Sequence, residues 1–354
     1  NTKNMPEQKF ENWPIVLAGL SEGRDLDSKT AETVLMSVLN GEATDAQLAA
    51  FLVALRQKGE TVDELSGLVH AMRSACIPIS CPPETIDLVG AGGSPMGQKA
   101  ALNVSTIASF VAAGAGAKVC KHGNRKASST SGSFDLLEEL SIAAELAPEQ
   151  VARCVEEVGV GFAYARSFHP AMRYASQVRV ELGIPTVFNV LGPLSHPASL
   201  TRQVIGVPVE ATGKQMAEVL KVTGTELAMV VTGDGGLDEL SITGPNTIHT
   251  VTPDGITTSQ VSPEEVGIKR ATEEEIHGGD PKTNAQIAFQ VLQGEPGPKR
   301  DIIALNAGAG LLVAGIAENL VDGVERANAA IDSGAALKCL SDLQILTKNM
   351  SEDD

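Results

Sequence analysis

The chain has 354 residues, of which 43% are hydrophobic and 3% aromatic, and carries a formal net charge of -17. That length buries a substantial core and suits one large or two unequal domains. The acidic balance argues against nonspecific nucleic-acid binding, which needs a basic footprint, and no apolar run reaches membrane-spanning length without a polar break.

From Trp13 to about Ala75 the pattern is helical. Thr44 followed by Gln47, and Thr61 followed by Glu64, form capping boxes ahead of apolar segments. Leu48, Phe51, Leu52 and Leu55 recur at helical spacing and read as packing residues, as do His70 and Met72. A small helical domain is expected. It ends at Ile77 to Pro83, where Pro78, Pro82 and Pro83 remove donors and fix an extended linker.

Ile86 to Val89 has strand character and runs into Gly90, Gly92 and Gly93, where missing side chains let backbone N–H groups approach an anion. Asn103-Val104-Ser105-Thr106 then opens an alanine-rich helix to Ala115, placing Ser105 or Thr106 near a helix N-terminus that favours phosphate. After a short strand, Lys118 to Cys120, the run Lys121-His122-Gly123-Asn124-Arg125-Lys126 with Ser128 and Ser129 adds cations and hydroxyls. Between Ile86 and Asp135 five basic residues face two acidic ones, against the trend of the chain. Two familiar phosphate motifs fail here. A Rossmann fingerprint from Gly90 meets Pro95 at its last glycine, and a P-loop from Gly92 has Gln98 for Lys and Lys99 for Ser or Thr.

Farther on, helical stretches such as Pro148 to Val158 alternate with strand-like runs such as Ala228 to Thr232, the composition of an α/β layer architecture. Asp238-Glu239 follows the turn Gly233-Asp234-Gly235-Gly236; adjacent carboxylates on an irregular segment are hard oxygen ligands suited to Mg²⁺, although alone such a pair is usually surface charge. Arg179 suits a carboxylate partner by its planar fork, or else an ion pair at a surface or domain interface. His196 and His249 read as ordinary loop or surface residues, and the polar tail after Thr347 as a frayed end. Cys76, Cys81, Cys120, Cys154 and Cys339 lack CxxC spacing, and no cationic-apolar leader is seen; a cytoplasmic protein is expected. No HExxH or nucleophile-elbow motif supports hydrolytic or zinc chemistry.

The succession VGxGG, NVST and KHGNRxxSSxxGSxDxLE resembles the phosphoribosyl-diphosphate site of anthranilate phosphoribosyltransferases. So do, in the same order, RVELGIPTVFNVLGPL (Arg179 to Leu194), GLDEL, GGDPKTNA (Gly278 to Ala285) and AIDSGAA. The resemblance implies a small helical domain (residues 1–80, joined by about 167–184) beside an α/β domain with a mixed sheet flanked by helices (81–166 and 185–354). It implies transfer of 5-phosphoribosyl from phosphoribosyl diphosphate to the amino group of anthranilate in tryptophan biosynthesis, by positioning and charge stabilisation. Gly90, Gly93, Ser94, Asn103, Val104, Ser105, Thr106, Lys121, His122, Gly123, Asn124, Arg125, Lys126, Ala127, Ser128, Ser129 and Ser133 would bind the donor. Gly90, His122, Asn124, His169, Arg179 and Gly192 would bind the acceptor, and Ser105, Asp238 and Glu239 would hold Mg²⁺. A homodimer through the helical domain is implied as well.

The glycine loop departs from the family pattern GTGGD. Ala91 replaces Thr, Ser94 replaces Asp, Ala101 replaces a later hydroxyl, and Pro95 to Lys99 lengthen the loop, with Lys99 expected to meet phosphate. Arg166 and Ser195-His196 also depart, the family having Pro and Thr-Asn there. A related transferase or nucleoside phosphorylase with another acceptor, and a catalytically silent binding paralogue, are the alternatives these departures leave.

Overall fold

The computed structural model describes residue 10, residues 12–94, 101–125 and 130–352. These form two compact units: the described residues up to Ile77 with His169–Ser195, and Pro78–Phe168 with the described residues from His196 onward. No helix among the described residues is long and apolar enough to cross a membrane.

In the first unit, Trp13–Ser21, Ser28–Leu39, Asp45–Lys58, Val62–Ser74, Arg173–Leu182 and Phe188–Leu194 are helical. Both capping boxes form, Thr44 with Gln47 and Thr61 with Glu64, so two orphan donors are satisfied at each helix start. Leu48, Phe51, Leu52, Leu55 and Met72 are buried, whereas His70, expected to pack, is exposed. The returning segment extends to Ser195, beyond the expected 184. The Phe188–Leu194 helix packs on Val62–Ser74, and Arg73 donates from Nε and Nη2 to the Leu194 carbonyl at 3.1 and 2.9 Å.

Glu64 is 0% exposed and ties this unit together. Its Oε2 accepts from Thr61 N and from Lys58 Nζ at 2.8 and 2.9 Å, and its Oε1 from Leu26 N at 2.8 Å. Lys58 also pairs with Asp25 at 2.7 Å. Removing one partner of a buried pair leaves a charge uncompensated. Glu64→Ala should therefore destabilise the protein by roughly 3–5 kcal/mol in urea unfolding; a loss under about 1 kcal/mol, the worth of a surface pair, would show that the buried pair contributes little.

The second unit is built on a seven-stranded sheet. Its strands are β1 (Ile86–Gly90), β2 (Val119–Gly123), β3 (Val160–Tyr164), β4 (Arg202–Gly206), β5 (Leu227–Thr232), β6 (Asn246–Thr252) and β7 (Gly255–Val261), in the order β3-β2-β1-β4-β5-β6-β7. The first five are parallel, and β6 and β7 add an antiparallel hairpin. Ile86 to Val89 are buried throughout, as a parallel strand covered on both faces requires. Helices Val104–Gly114 and Pro298–Val313 pack against each other in the core.

From β1 the chain steps towards β2 and β3, and from β4 towards β5, so the strand order reverses between β1 and β4. Ligands of open α/β sheets bind outside the carboxyl ends of the strands at such a switch point. One expectation is corrected in this unit. β2 does not stop at Cys120 but continues to Gly123, because Lys121, His122 and Gly123 pair in register with Phe162, Ala163 and Tyr164. The tail after Thr347 stays helical as far as Glu352, with Met350 buried, and Asp353 and Asp354 lie outside the described residues.

Candidate functional site

At the switch point Gly90 of β1 is paired with Gly206 of β4. A Cβ on Gly90 would stand 2.6 Å from Asp238 Oδ2, and one on Gly206 would overlap the Asp238 carbonyl. The two glycines therefore let the Asp238-Glu239 segment lie directly over the strand ends. Gly92 and Gly93, both at positive φ, carry the chain away from β1 in a conformation that side chains disfavour. Gly92 N donates to Asp238 Oδ2 at 2.7 Å, and Ser105 N, in the first turn of the Val104–Gly114 helix, donates to Glu239 Oε1 at 3.1 Å. Leu88, Ser105, Gly206, Asp238, Glu239 and Asn306 line a small cleft here.

The acid pair is only partly exposed. Burial, with Asp238 alongside, pushes the Glu239 carboxyl up to about 8, and burial raises Asp238 as well. Lys121 is withdrawn from solvent. It is 3% exposed, and its Nζ donates to the Leu88 carbonyl at 2.7 Å. Burial lowers its pKa, opposed by Asp87, Glu239 and Asp238.

Two buried asparagines that the sequence did not single out brace the acid segment. Asn306 donates to Leu240 O at 2.9 Å and accepts from Leu240 N at 3.0 Å; Asn246 accepts from Ser241 N at 2.6 Å and donates to Ser241 O at 3.0 Å. Nothing in the local pattern marks them, because Asn306 lies 66 residues from its partner.

Below the cleft, Asp87 Oδ2 meets His122 Nδ1 at 2.6 Å, and His122 N donates to Asp87 Oδ1 at 3.3 Å. A carboxylate only accepts, so Nδ1 of His122 carries the proton. Burial opposes ionisation of Asp87, but His122 and Lys121 outweigh it and leave the carboxyl below its usual range. His196, read as a surface residue, is 1% exposed and meets the His122 ring edge-on at 5.0 Å. Ala198 N donates to its Nδ1 at 3.0 Å, so its Nε2 donates to Cys120 O at 2.7 Å. The ligand atoms of Asp87, His122 and His196 lie within 4.8 Å of one another, but these bonds make the group a polar brace. His249 is also buried, with Nδ1 at 2.9 Å from Thr258 Oγ1.

The remaining donor candidates divide. Ser105 is at the cleft, whereas Val104 and Thr106 are buried. The Asn103 side-chain oxygen Oδ1 accepts from Ser131 Oγ and Asn284 Nδ2, each at 2.8 Å. Ser94 is buried with its hydroxyl unpartnered. Asn124 is exposed, and its Oδ1 accepts from Arg125 N at 2.9 Å. Arg125 pairs with Glu138 at 2.6 Å, and Ser133 Oγ donates to Asn124 O at 3.2 Å. Gly123 is obligatory, since a Cβ there would overlap Ser133. Lys126, Ala127, Ser128, Ser129 and the Pro95 to Lys99 segment lie outside the described residues.

In the helical unit, Arg179 is in the last turn of the Arg173–Leu182 helix, its guanidinium 5.2 Å from the Phe188 ring centre. Burial lowers its pKa, and no carboxylate among the described residues pairs with it. Open space lies beside Gly192. His169 lines a small apolar cavity with Leu39, Met72, Ala75, Ala171 and Met172.

Glu239 generates a pH prediction. Between its ordinary 4.5 and about 8, the unfolded chain releases a proton that the folded chain keeps, so stability declines as pH rises. In metal-free buffer Glu239→Gln should raise the melting temperature by a few degrees at pH 8 and barely change it at pH 4. Equal shifts at both pH values would show that Glu239 titrates normally.

Residues 82–337 match the model of the glycosyl transferase family a/b domain, and residues 15–76 that of the family's helical bundle domain. An anthranilate phosphoribosyltransferase of Azorhizobium caulinodans is 43% identical over 342 residues, covering 97% of this chain and 98% of the relative. The crystal structure of the Thermus thermophilus anthranilate phosphoribosyltransferase is 41% identical with a TM-score of 0.88, covering 94% of this chain and 99% of that one. The Saccharomyces cerevisiae enzyme, solved in complex with PRPP and Mg, is 28% identical with a TM-score of 0.86, covering 96% of this chain and 98% of that one. With its helical bundle, its mixed sheet and this similarity along nearly its whole length, the chain belongs to the anthranilate phosphoribosyltransferase family.

Proposed function

We propose that the protein transfers the 5-phosphoribosyl group of phosphoribosyl diphosphate to the amino group of anthranilate. The sugar C1–O bond to diphosphate breaks, a C1–N bond forms, and the amine loses a proton. The observation that carries the reading is the pair of crowded, half-buried carboxylates beside a helix N-terminus at the sheet's switch point. Hard oxygen ligands whose charges are costly to keep side by side fit Mg²⁺, and Asp238, Glu239 and Ser105 would hold it. Bound there, the ion supplies neutralising charge for the departing diphosphate.

The chain's own groups do the rest by position. The backbone of Gly90 to Gly93 and the helix start at Ser105 receive the diphosphate. Arg179 takes the acceptor carboxylate; its half-buried and uncompensated charge supports that role. Asn124 aims the amine, and His122, fixed by Asp87, presents a ring of defined tautomer. Homodimer formation through the helical unit fits its exposed apolar side chains, Ile15 at 71% and Val180 at 80% among them. A cytoplasmic location fits five free thiols.

The test is calorimetry with phosphoribosyl diphosphate and Mg²⁺, followed by turnover of anthranilate. Failure of the donor to bind would favour a silent paralogue, and donor binding without turnover would favour another acceptor. Arg179→Ala should raise the KM for anthranilate roughly ten- to hundredfold, the loss of one charge-assisted contact, while leaving the donor Kd unchanged. Equal losses for both substrates would assign Arg179 a structural role.

A further inference from the structure

The GGDPKTNA stretch has no part in the reading above, yet it holds a fully buried amide. Asn284, 0% exposed, lies in the first turn of the Pro281–Leu292 helix, which Asp280 caps by accepting from Thr283 N at 2.8 Å. Asn284 Nδ2 donates to Ala101 O and to Asn103 Oδ1, each at 2.8 Å, and its Oδ1 accepts from Gly279 N at 2.8 Å. Asn103 Nδ2 donates to Ser131 O at 3.0 Å, Ser131 Oγ returns a bond to Asn103 Oδ1 at 2.8 Å, and Ala101 N donates to Thr130 Oγ1 at 3.2 Å. Gly278 lets these chains close up, since a Cβ there would stand 2.5 Å from both Ala101 O and Asn284 Oδ1.

Asn284 thus ties its own helix start to the Ala101 to Asn103 segment, and Asn103 and Ala101 in turn tie that segment to Ser131 and Thr130. Ala101 to Asn103 leads directly into the helix that offers Ser105, and Thr130-Ser131 leads directly out of the stretch that began with Lys121 to Arg125. A buried amide is tolerated only when its donors and acceptor are met, and those of Asn284 are met by the Ala101 to Asn103 segment and by Gly279. It has nothing left to offer a ligand. Its effect is on where those segments sit.

We infer that Asn284 is a positioning residue for the donor: by holding Ala101 O and Asn103 Oδ1 it fixes the entry to the Ser105 helix, where Asn103 also meets Ser131, and so sets diphosphate affinity without touching the diphosphate. The role rests on the donor site proposed above. Phosphoribosyl diphosphate is titrated calorimetrically, at fixed Mg²⁺, into the parent protein, Asn284→Ala, Asn284→Asp and Ser131→Ala, with thermal melting of each and the anthranilate KM at saturating donor. Asn284→Ala should raise the donor Kd roughly tenfold or more through the loss of several buried bonds, while the acceptor KM stays within about twofold. Asn284→Asp keeps the bond from Gly279 and loses both donated ones, so it should share the donor defect. Ser131→Ala removes the bond to Asn103 Oδ1 and leaves those of Asn284, so it should show a smaller rise, and it decides the matter if the Asn284 variants do not fold. Parent-like donor Kd in the folded variants would overturn the role, as would parallel losses of donor and acceptor, which mean general loosening. A parent that does not bind the donor at all would overturn the donor reading and this role with it, whereas a parent that binds and variants that match it overturn the role alone.

Discussion

Two carboxylates on consecutive residues, held over the ends of β1 and β4, are the constraint on which the rest of the α/β unit depends. Keeping both ionised at low exposure is unfavourable, and burial together with Asp238 moves Glu239 up to about 8. The sheet accepts that cost through specific provisions. Gly90 and Gly206 clear the floor beneath the segment. Gly92 N and Ser105 N each give one carboxylate a donor, and Asn306 and Asn246 hold the backbone on its far side. The second negative charge is the costly one, and Glu239 answers that cost by keeping its proton up to about 8.

The same balance governs β1 and β2. Asp87 and Lys121 are both buried, and each moderates the other's cost: the ammonium helps keep Asp87 ionised, and Asp87 opposes the downward push of burial on Lys121. Lys121 bonds the Leu88 carbonyl one residue beyond Asp87, while His122 bonds Asp87 itself, so the two neighbouring strands are cross-tied by side chains as well as by their ladder. His196 extends the brace to Cys120. It stands where the family pattern has Asn. A ring that accepts from Ala198 N and donates to Cys120 O performs a donor-and-acceptor task similar to that of an amide, which gives the replacement a physical basis.

Features whose determinants are local were legible in the sequence. Thr44 with Gln47 and Thr61 with Glu64 specify helix starts over three residues, and Ile86 to Val89 announces a buried parallel strand by its apolar run. The KHG portion of the basic run was misplaced because charge and glycine ordinarily mark loops; only the pairing of β2 with β3 shows Lys121 and His122 inside the sheet. His196 failed for a similar reason, since its burial depends on a strand 76 residues away. The acid pair was legible through its motif, but its burial was not, and Asn306 carries no signature because an amide that bonds 66 residues away looks like any surface asparagine.

The altered glycine loop becomes intelligible in this setting. A carboxylate at position 94, as in the family pattern, would add negative charge two residues after Gly92, whose N–H already meets Asp238, the neighbour that raises the pKa of Glu239. Ser94 adds none, and its own side chain is turned into the protein. The loop is held to the pair from the other direction, through Gly92 N on Asp238 Oδ2. Replacement of the carboxylate therefore leaves one negative charge fewer after β1, while Gly92 N keeps its bond to Asp238 Oδ2.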